Sequence, residues 1–184
     1  MKKIKNIFLI FLFVLIIFIF YDNISEYILN KKNNLIGNID HDINNEENNK
    51  KIKVEYYSCI DGDTAKFKLN DEIIKVRFLG IDTPETPNSP RGEGEFWEEA
   101  TNFVKKKLEN ANKIEIEYDE NALKKDKYDR DLAWVFVDDE LLQEKIVLKG
   151  LAKTYVLHNN YKYYNELNNA EEYAKKNNLG IWKK

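Results

Sequence analysis

After residue 50 the chain is built from short stretches in which apolar and polar residues alternate. Ala65, Phe67 and Leu69 alternate with Lys66 and Lys68, and Ile74, Val76 and Phe78 alternate with Lys75 and Arg77. A period of two sends successive side chains to opposite faces, so both stretches predict half-buried strands. Asn70-Asp71 between them suits a two-residue turn. A hairpin closed there sets Leu69 opposite Glu72, Phe67 opposite Ile74, Ala65 opposite Val76, Thr64 opposite Arg77 and Asp63 opposite Phe78. That register gathers the apolar positions on one face. Ile114, Ile116 and Tyr118 alternate with Glu115 and Glu117 as a further strand, and residues 132–137 make another. The period lengthens elsewhere. Phe96, Ala100, Phe103, Val104 and Leu108 predict one packed helix; Leu141, Leu142, Ile146 and Val147 predict a short one ending before Gly150; and Tyr164, Leu167, Ala170, Tyr173 and Ala174 predict a last one.

The first fifty residues follow neither pattern. Lys2, Lys3 and Lys5 precede an unbroken apolar run over residues 7–21. Basic residues followed by such a run describe a signal peptide or an uncleaved anchor. As a helix the run would reach about 22 Å, short of a hydrocarbon core of about 30 Å. Against cleavage, Tyr21-Asp22-Asn23-Ile24-Ser25 offers no pair of small residues, and the run has no polar face. We read residues 1–21 as an N-terminal membrane anchor with its lysines inside, or as a signal peptide if it is cleaved. Residues 22–50 are rich in Asn, Asp, Glu and Lys and read as a polar tether, in which His41 is a solvated side chain. Residues 51–184 form the domain.

Composition narrows the chemistry. One cysteine, Cys59, rules out an intramolecular disulfide, and two histidines, His41 and His158, make a histidine-rich metal centre hard to build. The chain carries 29 Lys+Arg against 32 Asp+Glu, a formal net charge of −3, and residues 51–184 alone are also −3. The broad positive footprint of many nucleic-acid binders is therefore missing. Any such function must rest on local charge.

The hairpin register supplies a local site. Asp63 lies at one end of it, and Asp82 follows just beyond the second strand, so the two carboxylates converge. They repel unless a cation lies between them, and an all-oxygen donor set suits a hard ion, Ca²⁺ or Mg²⁺. Arg77 stands on the adjoining strand. Pro84 fixes the backbone so that Glu85, three residues past Asp82, cannot simply continue the strand. Taken singly, each residue has a structural reading: a turn for Asp61-Gly62-Asp63, a loop or helix start for Asp82-Thr83-Pro84-Glu85, a solvent-facing strand residue for Arg77. Together they suit cleavage of a phosphodiester, with cations on the phosphate and a base for water.

Two blocks, Cys59-Ile60-Asp61-Gly62-Asp63-Thr64 and Val76-Arg77-Phe78-Leu79-Gly80-Ile81-Asp82-Thr83-Pro84-Glu85-Thr86, resemble the staphylococcal nuclease (thermonuclease) family. Asp126-Lys127-Tyr128-Asp129-Arg130-Asp131-Leu132-Ala133 resembles its second arginine motif, and Gly150-Leu151-Ala152-Lys153 and Leu179-Gly180-Ile181-Trp182 its closing segments. The resemblance covers about residues 51–184 and implies an α+β, mainly β fold: a five-stranded OB-fold barrel with about three packed helices. It implies Ca²⁺-dependent hydrolysis of DNA and RNA to 3′-phosphate ends by a monomer. Carried over by position, Asp63, Asp82 and the Thr83 carbonyl would hold Ca²⁺, Arg77 and Arg130 would grip the phosphate, and Glu85 would be the general base. Arg91, Lys127, Tyr128 and Tyr155 would contact substrate.

Two positions depart from the family pattern. Asp129 stands where the second motif usually has glycine, and Leu157 where a second stacking tyrosine is expected. The competing function is a non-enzymatic OB-fold module that binds single strands or a protein partner. The five residues Asp63, Arg77, Asp82, Glu85 and Arg130 argue for the enzyme, because a binding module has no need to keep them together.

Overall fold

The computed structural model describes residue 32, residues 50–156 and residues 160–183. The segment read from sequence as an anchor or signal peptide and most of the stretch read as a tether, with His41, Leu157 and His158, lie outside the described residues. Contacts divide the chain into units Met1–Glu47 and Asn48–Lys184, and all the elements that follow belong to the second. Among the described residues no helix is long and apolar enough to cross a membrane.

Strands β1 (Ile52–Cys59), β2 (Thr64–Leu69) and β3 (Glu72–Phe78) form an antiparallel meander. The β2–β3 register is the one the alternation predicts, from Leu69 opposite Glu72 to Thr64 opposite Arg77. Its turn residues Asn70 and Asp71 both have positive φ, 48° and 69°. That is the backbone twist a two-residue hairpin needs, and Asn and Asp tolerate it best after glycine. A short strand β4 (Ile81–Asp82) leaves the hairpin, and helix α1 (Trp97–Glu109) follows. Strand β5 (Ile114–Glu117) pairs antiparallel with β1 and with β6 (Asp131–Val137). Parallel pairing of β3 with β6, with Arg77 opposite Leu132, closes the ring. The five strands β1, β2, β3, β6 and β5 therefore form the closed barrel of an OB-fold, with no free sheet edge within that ring.

The barrel interior is filled by Phe67, Phe78, Ile116 and Val135, all at most 1% exposed. After β7 (Glu140–Leu141) come helix α2 (Leu142–Leu148), strand β8 (Lys153–Thr154), helix α3 (Tyr164–Lys176) and a 3₁₀ turn (Gly180–Trp182). Gln143 at the start of α2 is fully buried: its side-chain amide donates to Ala133 O (3.1 Å) and accepts from Val135 N (3.1 Å). An amide side chain thus takes the place of a neighbouring strand on β6 and satisfies backbone groups that burial would otherwise leave costly.

Two predicted helix members fall outside their helices. Phe96 precedes α1 with φ 70°, and Leu141 belongs to β7. Both are apolar residues at helical spacing, but the chain turns sharply beside each, and spacing alone does not register a turn.

Candidate active site

The site begins at the turn between β1 and β2. Asp61 accepts the Asp63 backbone N–H at 3.0 Å, and Ile60 and Asp61 both donate to Thr64 O. Gly62 is required by close approach: a Cβ there would come within 2.9 Å of both Ala100 of α1 and Thr83. The turn consequently presses against Thr83, and Asp63 is buried at 7% exposure. Its Oδ2 accepts the Thr83 N–H (3.0 Å) and hydroxyl (2.9 Å), while Oδ1 accepts the Thr64 hydroxyl (3.0 Å) and lies 3.2 Å from Arg77 Nε.

Arg77 spans both aspartates. Its Nη2 reaches Asp82 Oδ1 at 3.2 Å and its Nη1 donates to Phe78 O at 3.0 Å. The planar fork that suits carboxylate pairs also suits a phosphate. Asp82 is positioned by the pairing of β4 with β8, where it faces Lys153. One residue past β8, Tyr155 N donates to Gly80 O at 2.8 Å, which brings the Tyr155 ring to the cleft. Beyond Pro84, Glu85 is ion-paired with Arg91, whose guanidinium also lies 3.8 Å from Asp82.

The second arginine comes from the loop before β6. Asp126 Oδ2 binds Arg130 at Nε and Nη2, both at 2.7 Å, and Oδ1 accepts the backbone N–H of Tyr128 and of Arg130. Burial alone would raise the Asp126 pKa, but its hydrogen bonds with Arg130 and Tyr128 outweigh that and hold it below the usual carboxylate range. Asp61 behaves oppositely: burial first, and the Asp63 charge second, push it up to about 6.

A cleft of about 740 Å³ collects nearly all the predicted site: Asp63, Arg77, Asp82, Thr83, Glu85, Arg91, Tyr128, Arg130 and Tyr155 line it. Lys127 does not. It is exposed at the rim, its Nζ 4.9 Å from the Tyr128 ring centre. Sequence reasoning assigned no role to two further cleft residues, Asp61 and Asp126. Asp126 had a signal, an acid four residues before an arginine in a turn-forming stretch, whereas Asp61 resembled any Asp-Gly turn.

Among the described residues, no group of three or more His, Cys, Asp and Glu side chains is arranged to hold a metal ion. The donors on offer are two carboxylates and the Thr83 carbonyl, all oxygen, which fits a hard divalent ion and no softer one. Asp63 is already engaged by Thr64, Thr83 and Arg77. A cation would therefore compete with Arg77 for it, and the residues fit an ion held with modest affinity.

A model of the family described as Staphylococcal nuclease homologue matches residues 75–184. The chain belongs to that family. Among its relatives are the Thermonuclease of Staphylococcus hyicus, 37% identical over 140 residues that cover 75% of this chain and 77% of that protein. Endonuclease YncB of Bacillus subtilis (strain 168) is 39% identical over 145 residues, 75% of this chain and 65% of that protein. The SPbeta prophage-derived endonuclease YokF of the same organism is 39% identical over 139 residues, 72% of this chain but only 45% of that protein. The family match takes in β6, α2, α3 and all of the cleft residues from Arg77 onward; Asp61 and Asp63 precede it.

Proposed function

We propose that this member of the staphylococcal nuclease family is a Ca²⁺-dependent nuclease that hydrolyses DNA and RNA and leaves 3′-phosphate ends. The observation that carries this reading is the convergence of two guanidiniums, Arg77 and Arg130, with the carboxylates of Asp82 and Glu85 on one cleft. Bound by Asp63, Asp82 and the Thr83 carbonyl, Ca²⁺ would supply positive charge next to the phosphoryl oxygens. Arg77 and Arg130 hold those oxygens and stabilise the charge that builds on them as water attacks in line. Glu85 takes the proton from that water, and the 5′-oxygen departs.

Arg91 is ion-paired with Glu85. It is two-thirds exposed, so an arriving phosphate competes for its guanidinium and releases Glu85 to act as base. Tyr128 and Tyr155, 68% and 60% exposed, offer their rings to the sugar and base, and Lys127 adds charge at the rim.

The wider reading places residues 1–21 as an anchor or cleaved signal, residues 22–50 as a tether, and residues 51–184 as a monomeric nuclease domain outside the cell. The deciding experiment is a nuclease assay of the full chain with calcium, with chelator, and as Glu85→Gln. We expect chelation to abolish cleavage and the variant to lose about 10²–10⁴-fold in kcat. Cleavage that survives chelation refutes the metal, and an undiminished variant refutes Glu85 as the base. Binding of single strands without any cleavage would restore the binding-module reading. Fractionation of cells tests the anchor: an exported product lacking its first residues means cleavage.

A further inference from the structure

The outer face of the β2–β3 hairpin continues away from the cleft on the same side as Arg77. Side chains two apart on a strand share a face, so Ile73, Lys75 and Arg77 stand in one row of β3, opposite Lys68, Lys66 and Thr64 of β2. Lys75 directly faces Lys66. Like charges set opposite each other across strands are destabilising. Neither lysine forms an ion pair among the described residues, and the β1 residue opposite Lys66 is the neutral Ser58. Lys68, by contrast, is neutralised by Asp71 at 2.8 Å and has Glu55 opposite it on β1. The fold therefore keeps an uncompensated pair of cations one strand repeat from Arg77, about 7 Å along β3.

Apolar surface flanks that pair. Ile73 is 46% exposed. The register of β1 against β2 shifts between Tyr56 and Ser58, leaving Tyr57 without a partner across the strands and 59% exposed, next to the residue that faces Lys66. Cations in line with an exposed aromatic ring form the combination that binds a single strand without reading its sequence, charge on the backbone and a ring under a base. The domain as a whole is slightly acidic, so this local row is not a product of general basicity.

We propose that Lys66 and Lys75, with Tyr57, form a track on the outer face of the β2–β3 hairpin that holds the single-stranded nucleic acid flanking the scissile phosphate. The inference rests on the nuclease reading and extends it from the cleft to the substrate beyond. Its occupant is a continuous strand, because the row runs directly into Arg77 and carries charge complementary to successive phosphates. Short substrates that fill only the cleft do not reach it.

The test compares the full chain with Lys66→Gln/Lys75→Gln, with Tyr57→Ala, and with a charge-matched control on the helices, Lys106→Gln/Lys176→Gln. Each is assayed for cleavage of oligo(dT) and of a thymidine dinucleotide, and for oligo(dT) binding by fluorescence anisotropy across a salt series. We expect the double lysine variant to lower the ratio of kcat/KM for oligo(dT) over dinucleotide by about three- to tenfold. Its salt slope for binding should flatten by about 1.4, the value for two contacts to a single strand. Tyr57→Ala should weaken binding without changing that slope, and the control should leave the ratio unaltered. Thermal stability should not fall in the lysine variant, since it removes a repulsion, so a loss of binding cannot be ascribed to unfolding. An unchanged ratio together with an unchanged slope overturns the track, as does an equal effect of the control. Should the unsubstituted protein cleave nothing, the nuclease reading fails, and the anisotropy series alone still decides the track.

Discussion

The Asp126 carboxylate fixes Arg130 from both sides of a single turn: Oδ2 lies 2.7 Å from Nε and from Nη2, and Oδ1 takes the backbone N–H of Tyr128 and of Arg130 itself. The side chain thus builds the loop and aims the guanidinium together. Replacing it as Asp126→Asn keeps an acceptor for the turn but loses the charge-assisted pair, so Arg130 gains freedom that, in the proposed nuclease, it must lose again on binding phosphate. We expect kcat/KM to fall about tenfold, with Asp126→Ala falling further. Steady-state kinetics on one substrate checks this; equal activity in both variants would mean Arg130 is aimed by something else.

The same pair makes a pH prediction. Asp126 is held below the usual carboxylate range when folded, against about 3.9 when unfolded. A depressed folded pKa contributes stability at pH values above the unfolded value, and that stability is lost as pH falls through the folded one. Acid unfolding below about pH 4 should therefore be less steep in Asp126→Asn than in the parent. Melting temperature measured from pH 6 down to pH 2 gives the comparison.

Asp129 holds φ 60°, a conformation most side chains avoid, and pairs with Lys125 at 2.9 Å instead of with Arg130. The Asp129 carboxylate is thus turned toward Lys125 and away from Arg130. Asp129→Gly relieves the strained backbone and loses an exposed ion pair of about 0–1 kcal/mol, so stability should change little. Asp129→Val keeps the strain and loses the pair, and should cost about 1–2 kcal/mol. Denaturant unfolding of the two variants separates these outcomes.

Gly150 and Gly180 meet backbone to backbone, both with positive φ (69° and 49°), and Ile181 N donates to Gly150 O at 2.9 Å. A Cβ on either glycine would overlap the other segment. Gly150→Ala should cost at least about 1–2 kcal/mol from the left-handed backbone alone, plus separation of the two segments. Because this junction ties the end of α2 to the 3₁₀ turn, amide exchange near Gly180–Trp182 should quicken in the variant.

The Cys59 thiol is pushed up to about 12 by burial first and by the neighbouring Asp61 charge second, and its Sγ lies 3.1 Å from Asp61 O. Thiolate is the reactive form, so iodoacetamide at pH 8 should label the native protein far more slowly than the denatured one. Rapid labelling of the native protein, followed by mass spectrometry, would show that this thiol is not protected.

Much of this protein was legible in the alternation of its residues. The β2–β3 register follows from placing apolar side chains on one face, and that register by itself brings Asp63, Arg77 and Asp82 together. Local periodicity suffices there because the turn is two residues long and a slip by one would expose every core side chain. Tertiary structure decided what lies between segments distant in sequence. The parallel β3–β6 pairing brings the Arg130 loop to the cleft, β4–β8 pairing brings Tyr155, and burial against Thr83 and α1 gives Asp61 and Asp63 their different surroundings. None of these has a local signature, since each depends on which surfaces meet once the barrel closes. Net charge was uninformative for the same reason: a site is made by the few charges that face one another, and only the fold determines which those are.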